Sequence, residues 1–185
     1  MLKIIKERIK NNTLNELSFD KDLIPAAILI LLFHNQHGQL STIFQKRSQR
    51  VHHPGEISFP GGRFEKADVN LINTALRETQ EEIGINVSDI DILGPLNPTT
   101  TRMGYVMSPF IGYTDQKDIE FVANDEEIER LIEVPLDQLL NPVNQAWVTW
   151  QGQNSTLTAL GFRIEDEIIF GATARVVCEF INLLQ

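Results

Sequence analysis

The sequence predicts an α/β fold built on a mixed β-sheet, with a helical N-terminal appendage, and three observations carry that reading. Strand-like and helix-like segments are interspersed along the chain. Two strand candidates near the start are joined by a tight turn. One long helix candidate is closed by a glycine, the usual helix-ending residue. The 185 residues suit one domain, 42% hydrophobic content suffices for a packed core, and 22% charged residues is ordinary. No repeat, low-complexity tract or linker divides the chain, so residues 1–18 are read as the appendage and 19–185 as a single domain.

Met1 to Lys10 (MLKIIKERIK) places Leu2, Ile5 and Ile9 at i, i+3 and i+7, a helical spacing. The apolar run Pro25 to Phe33 (PAAILILLF) is about half the ~20 residues that span a bilayer and reads as a buried strand over 25–34. His37-Gly38 turns the chain into a second strand at 40–47, giving a hairpin. Pro54, Gly55, Pro60, Gly61 and Gly62 mark 51–70 as loop. A helix runs from about Val69 to Ile83 and stops at Gly84. Segments 90–93, 104–113 and 128–134 read as strands, followed by a short helix at 136–140. Trp147–Trp150 and Glu167–Phe170 are weaker strand candidates, and Ala172–Leu184 is a closing helix.

Charge narrows the function classes. With 25 acidic against 16 basic residues, the formal net charge is −9. A non-specific nucleic-acid binder needs a basic surface, so nucleic acid is not an expected partner. An acidic protein that handles phosphate needs a divalent cation between the two. The lone Cys178 cannot form an intramolecular disulfide, and the first residues lack the uninterrupted apolar stretch of a signal peptide. The expectation is a cytoplasmic protein with no membrane partner; a homodimer is left open.

The informative stretch is Phe59 to Ile85, FPGGRFEKADVNLINTALRETQEEIGI. On a helix, Glu78, Glu81 and Glu82 stand at i, i+3 and i+4 and share one face. Ile72, Ala75, Leu76, Thr79 and Ile83 gather on another and would face the core. Like charges at this spacing cost an isolated helix roughly 0.2–0.5 kcal/mol per pair. They also occupy the last turns, where the helix dipole disfavours negative charge. Two readings follow: a Mg²⁺ or Mn²⁺ site of hard oxygen ligands, or a solvated face with Arg77 paired to Glu81. The Gly61-Gly62 pair just upstream, which lets backbone approach a ligand closely, favours the first.

This stretch resembles the Nudix box, the loop–helix–loop signature of the Nudix hydrolases. Gly62 opens it, and Arg77-Glu78-Thr79-Gln80-Glu81-Glu82-Ile83-Gly84-Ile85 matches its second half throughout. The first half departs. Asp68 stands where the pattern has Glu, and eight residues rather than seven separate it from Arg77. The resemblance implies a Nudix fold, a mixed sheet sandwiched between helices. It also implies metal-dependent hydrolysis of a nucleoside diphosphate linked to another moiety. Upstream, Arg47-Ser48, Gly55 and Phe59-Pro60-Gly61-Gly62 are similar to the extra motif of the coenzyme A pyrophosphatase subgroup, as are Gly104–Phe110 and Phe170–Arg175. The subgroup's second motif arginine falls on no arginine here, leaving Arg50, His52 or His53 to take its place.

On that resemblance Glu78 and Glu82 are the principal ligands of Mg²⁺ or Mn²⁺, with Glu81 sharing the cluster and the Gly62 carbonyl as a further ligand. Arg77 orients the carboxylates. Arg47, Arg50, Gly61, Gly62 and Arg63 would contact the substrate, which is coenzyme A or a related nucleoside diphosphate derivative. Cleavage of coenzyme A would give 3′,5′-ADP and 4′-phosphopantetheine. ADP-ribose, a dinucleotide, a nucleoside triphosphate, or a Nudix-fold binding module without catalysis are the alternatives. Local charge agrees: Lys46, Arg47, Arg50, Glu56 and Arg63 give the segment 46–63 a net +3, directly before a segment of net −5 over 65–91. Glu126 and Glu127 are candidates for a further carboxylate or a solvated loop. Tyr105, Tyr113, Trp147 and Trp150 are candidates for base stacking or core packing.

Overall fold

The computed structural model describes residues 1–14, 22–50, 54–151 and 156–185. His52 and His53, the last residues of the predicted appendage, and the side chain of Trp150 lie outside them. The elements are α1 (Leu2–Lys10), β1 (Ile24–His34), β2 (Leu40–Arg47), β3 (Ile57–Ser58), β4 (Gly61–Arg63), α2 (Leu71–Ile83), β5 (Asp91–Pro95), β6 (Thr99–Thr100), β7 (Tyr105–Tyr113), β8 (Ile128–Pro135), α3 (Leu136–Leu139), β9 (Gln145–Gln151), β10 (Thr156–Ile164), β11 (Glu167–Ile169) and α4 (Gly171–Leu184).

The architecture is the expected mixed α/β. The larger sheet runs β3-β2-β1-β7-β5, with β4 also on β1, β6 on β7 and β8 on β2; β9, β10 and β11 form a second, antiparallel sheet. Its axis is β1, an apolar run buried on both faces. Residues 28, 30 and 32 enter one core with α1, α4 and β10, and residues 27, 29, 31 and 33 enter the other with α2. That alternation follows from the two-residue period of a strand. β1 runs parallel to β7 along its length. On its other edge it pairs with β2 at Leu32–His34 and with β4 at Ala26–Ile28. The sheet therefore divides on that side of β1, and the division opens beside Gly61.

Helix α2 is held at both ends by local chemistry. The Asn70 side chain accepts from the Asn73 amide, and Gly84 adopts φ 72° while its amide donates to the Gln80 carbonyl. Ala75, Thr79 and Ile83 are buried beneath β1, as their spacing predicts.

The structure corrects the sequence reading in three places. Helix α1 ends at Lys10, and residues 11–14 of the predicted helical appendage are not helical. The Asn11 side chain donates to the Glu7 carbonyl, the acceptor its own amide would need to continue the helix. Ile5 and Ile9 of α1 are buried in the core shared with α4. The 51–70 loop contains β3 and β4, each too short to leave a periodic pattern. The nine-residue β10 pairs with β9 from Thr156 to Phe162. Gly161, which weakens its strand signal, is required there: a Cβ would lie 2.6 Å from the Ile169 carbonyl and from Val148. Among the described residues no helix is long and apolar enough to cross a membrane.

Candidate active site

Helix α2 and the strand β4 before it bring the predicted carboxylates to the glycine pair. The Gly61 amide donates to Glu82 Oε2 at 2.7 Å. A Cβ on Gly62 would fall 2.4–2.6 Å from the Glu78 carboxyl group, so glycine is what lets that side chain approach the backbone. Glu82 is only 3% exposed. Burial pushes its carboxyl up to about 7, with Glu78 adding repulsion, against the Gly61 hydrogen bond and the charge of Arg47. Burial also raises Glu78, helped by the charges of Glu81 and Glu127 and opposed by Arg77. The fully buried Gln45 carboxamide lies close enough to favour the Glu82 anion, yet neither its nitrogen nor its oxygen makes a well-formed hydrogen bond.

Asp68 behaves differently. Its Oδ2 accepts from the Glu65 amide at 2.9 Å, Thr74 Oγ1 at 2.9 Å and Arg77 Nη2 at 3.1 Å, and its Oδ1 accepts from Arg77 Nε at 2.9 Å. The Arg77 guanidinium holds this carboxyl well below the usual range. Asp68 therefore clasps Arg77. Arg77 Nη1 in turn reaches Glu78 at 2.9 Å and Glu81 at 3.0 Å, and Nη2 reaches the Arg63 carbonyl at 3.3 Å. Glu81 is exposed and turned to Arg77.

Beyond the glycines lies a cleft of about 480 Å³. Arg47 and Arg63 line it on the glycine side, with Glu56, Ser58, Gly61 and Gly62; Thr101 to Met103, Phe170 to Ala172 and Arg175 line the opposite wall. Ala26, Ile28, Tyr105 and Met107 supply an apolar floor. Arg47 follows a register shift in the β2–β8 pairing. Lys46, just before it, is spent on ion pairs with Glu129 at 3.1 Å and Glu167 at 2.9 Å. Arg50 is exposed in the next turn and does not line the cleft. Glu126 and Glu127 are tied to β2 through Ser48, which bonds to both of their carbonyls. Tyr113 lies beneath Lys6, and Trp147 is exposed on β9.

The structure thus joins Glu78, Glu82, Gly61 and Gly62 at one point, with Arg77 behind them and Arg47 and Arg63 beside them. Among the described residues no three side chains of the acidic, histidine or cysteine type already converge into a complete cation site. Sequence reasoning gave no role to Gln45, Arg102 or Arg175. The two arginines belong to or adjoin the segments at 104–110 and 170–175, whose subgroup similarity was the available signal.

The NUDIX domain family model matches residues 23–153. The chain is 33% identical over 158 residues to Nudix hydrolase 15, mitochondrial, of Arabidopsis thaliana, covering 82% of this chain and 55% of that one. It is 32% identical over 163 residues to the uncharacterized Nudix hydrolase NudL of Yersinia enterocolitica serotype O:8, covering 86% and 81%. It thus spans little more than half the plant relative's length. Among solved structures, a MutT/nudix family protein from Enterococcus faecalis superposes with a TM-score of 0.56 at 15% identity, over 98% of this chain and 73% of that one. The Nudix hydrolase RenU from M. smegmatis superposes with a TM-score of 0.52 at 19% identity, over 62% and 72%. These likenesses bear on the fold.

Proposed function

The chain belongs to the Nudix family, and on that premise we propose that it is a Mg²⁺- or Mn²⁺-dependent hydrolase that cuts the diphosphate bond of coenzyme A and its thioesters. One observation carries the hydrolase reading: Glu78 and Glu82 reach Gly61-Gly62 from one side, and an arginine-lined cleft reaches the same glycines from the other. The donor set suits a hard divalent cation. Two carboxylates are held close enough to repel each other, one of them almost fully buried, and a cation would relieve both costs. Glu78 and Glu82 would hold it, with Glu81 and the Gly62 carbonyl as further ligands. Such an ion, when bound, offsets the charge of the diphosphate and acidifies a coordinated water.

The chain's own groups supply the rest. Arg77, fixed by Asp68, orients Glu78 and Glu81. Arg47 and Arg63 present guanidinium groups to the phosphates. A carboxylate of the cluster, or Glu127, accepts the water proton. The apolar floor around Tyr105 and Met107 takes the nucleoside. The coenzyme A assignment leans on Arg47-Ser48, Gly55, Phe59–Gly62, Gly104–Phe110 and Phe170–Arg175. Product analysis with coenzyme A and Mg²⁺ tests it. Release of 3′,5′-ADP and 4′-phosphopantetheine is expected. Turnover of ADP-ribose, a dinucleotide or a nucleoside triphosphate in its place would move the assignment to another Nudix substrate.

A further inference from the structure

Among the described residues, four buried side-chain polar atoms have no hydrogen-bond partner, and three of them belong to one cross-strand pair. They are the nitrogen and oxygen of the Gln45 carboxamide and the Ser58 hydroxyl. Gln45 on β2 stands directly opposite Ser58 on β3, so the two side chains share a face of the sheet. That face is the one α2 covers. Ile43, on Gln45's side of β2, packs in one core with Ala75 and Ile83 of α2. Ile57 and Phe59, flanking Ser58, enter the opposite core. The fourth atom, Thr42 Oγ1, shares that opposite face with Phe44 and stands apart from the pair.

The α2 side chain at this end of the sheet is Glu82. Ala75, Thr79 and Glu82 stand at i, i+4 and i+7 and are all buried, so Glu82 faces the strands. There the amide of Gly61, three residues past Ser58, donates to one of its oxygens. The Gln45 carboxamide lies close enough to favour the Glu82 anion. A fully buried amide without a bond opposes folding. Packing alone would place an apolar side chain there, as it does at Ile43 and Ala75. Gln45 instead keeps a donor beside the carboxylate.

We propose that Gln45 is a positioning residue: its amide nitrogen donates to the Glu82 carboxylate when that group holds a divalent cation, and the Ser58 hydroxyl donates to its oxygen from behind. That chain of bonds satisfies all three atoms and fixes the direction of the Glu82 oxygens. This inference rests on reading Glu82 as a ligand of Mg²⁺ or Mn²⁺.

Gln45→Met keeps the length of the side chain while removing both polar atoms. Two readouts on the whole chain separate positioning from packing. In calorimetry, Mn²⁺ should bind Gln45→Met about tenfold more weakly than the unaltered chain. In urea unfolding without added metal, the variant's midpoint should be no lower, because no bonded amide is lost. Ser58→Ala should weaken Mn²⁺ binding by about threefold, and it carries the test if Gln45→Met does not fold. Unchanged Mn²⁺ affinity in Gln45→Met, or in Ser58→Ala where the first does not fold, would overturn the role. A lowered midpoint for Gln45→Met would overturn it too, by showing that the amide already serves the fold. If the unaltered chain binds no Mn²⁺, the metal reading and this inference fall together. Mn²⁺ binding that depends on Gln45, in a chain that cuts no diphosphate, keeps the inference and sinks the hydrolase reading alone.

Discussion

Asp68 and Glu82 are both buried carboxylates of the same loop-and-helix segment, 7% and 3% exposed, and their surroundings push them in opposite directions. Asp68 accepts four hydrogen bonds, two from a guanidinium, and is held ionised. Glu82 accepts from the Gly61 amide and has a second carboxylate for a neighbour; it is pushed up to about 7. Burial alone therefore says little about a carboxylate's role. The clasp holds Asp68 as an anion, whereas for Glu82 the help of Gly61, Gln45 and Arg47 is outweighed by burial and by Glu78. Arg77 bridges the two, since it ties Glu78 and Glu81 to Asp68.

The comparison breaks most readily at Glu82. Glu82→Gln should lower Mg²⁺-dependent turnover by about 10²-fold or more while leaving the fold intact. Steady-state kinetics with circular dichroism checks this, and full activity would remove Glu82 from the metal set. Next in size is Asp68→Ala, which leaves Arg77 Nε without its buried acceptor and Nη2 with only the Arg63 carbonyl, and should cost about 3 kcal/mol of stability in urea unfolding. A loss below about 1 kcal/mol would mean the clasp is no more than a surface pair.

The smallest effect, and the one that separates the two groups most sharply, is the pH dependence of metal-free stability. The folded pKa of Glu82 is raised from 4.5 to about 7, so its ionisation opposes folding. Stability is free of that penalty below about 4.5 and falls as pH rises through 7. The folded pKa of Asp68 is depressed, so its contribution is present above about 4 and is lost as pH falls further. Melting temperature between pH 5 and 8 should therefore decline without metal. Glu82→Gln or added Mg²⁺ should flatten that decline, and Asp68→Asn should not. A profile that Glu82→Gln leaves unchanged would contradict this assignment of the penalty.

The acidic helix was legible in the sequence because its signals are local: apolar spacing, three glutamates on one face, and Gly84 at the end. So was β1, whose uninterrupted apolar run fits a strand buried on both sides. What escaped depends on partners far along the chain. Asp68's departure from the box was visible, but nothing local shows that it clasps Arg77. Glu81 looks equivalent to Glu82 by spacing, yet one turns to Arg77 and the other inward to Gly61. Arg102 and Arg175 come to line one cleft because α4 packs against β6, where Arg175 bonds to Thr99 and Thr100. β10 was hidden by Gly161, whose missing side chain is what its packing requires.

Parallel pairing of β1 with β7 also has a kinetic meaning. Everything from Asn35 to Gly104 lies inside the crossover between those two strands, including α2, the glycine pair and the Asp68 clasp. Parallel neighbours so distant in sequence form only after a long loop has closed, which is slow and entropically costly. Glu82 therefore meets its low-polarity surroundings late in folding, when the strand roof above α2 is in place. A half-folded chain would keep its glutamates hydrated and dispersed, and competence to gather a cation would arrive together with the completed sheet.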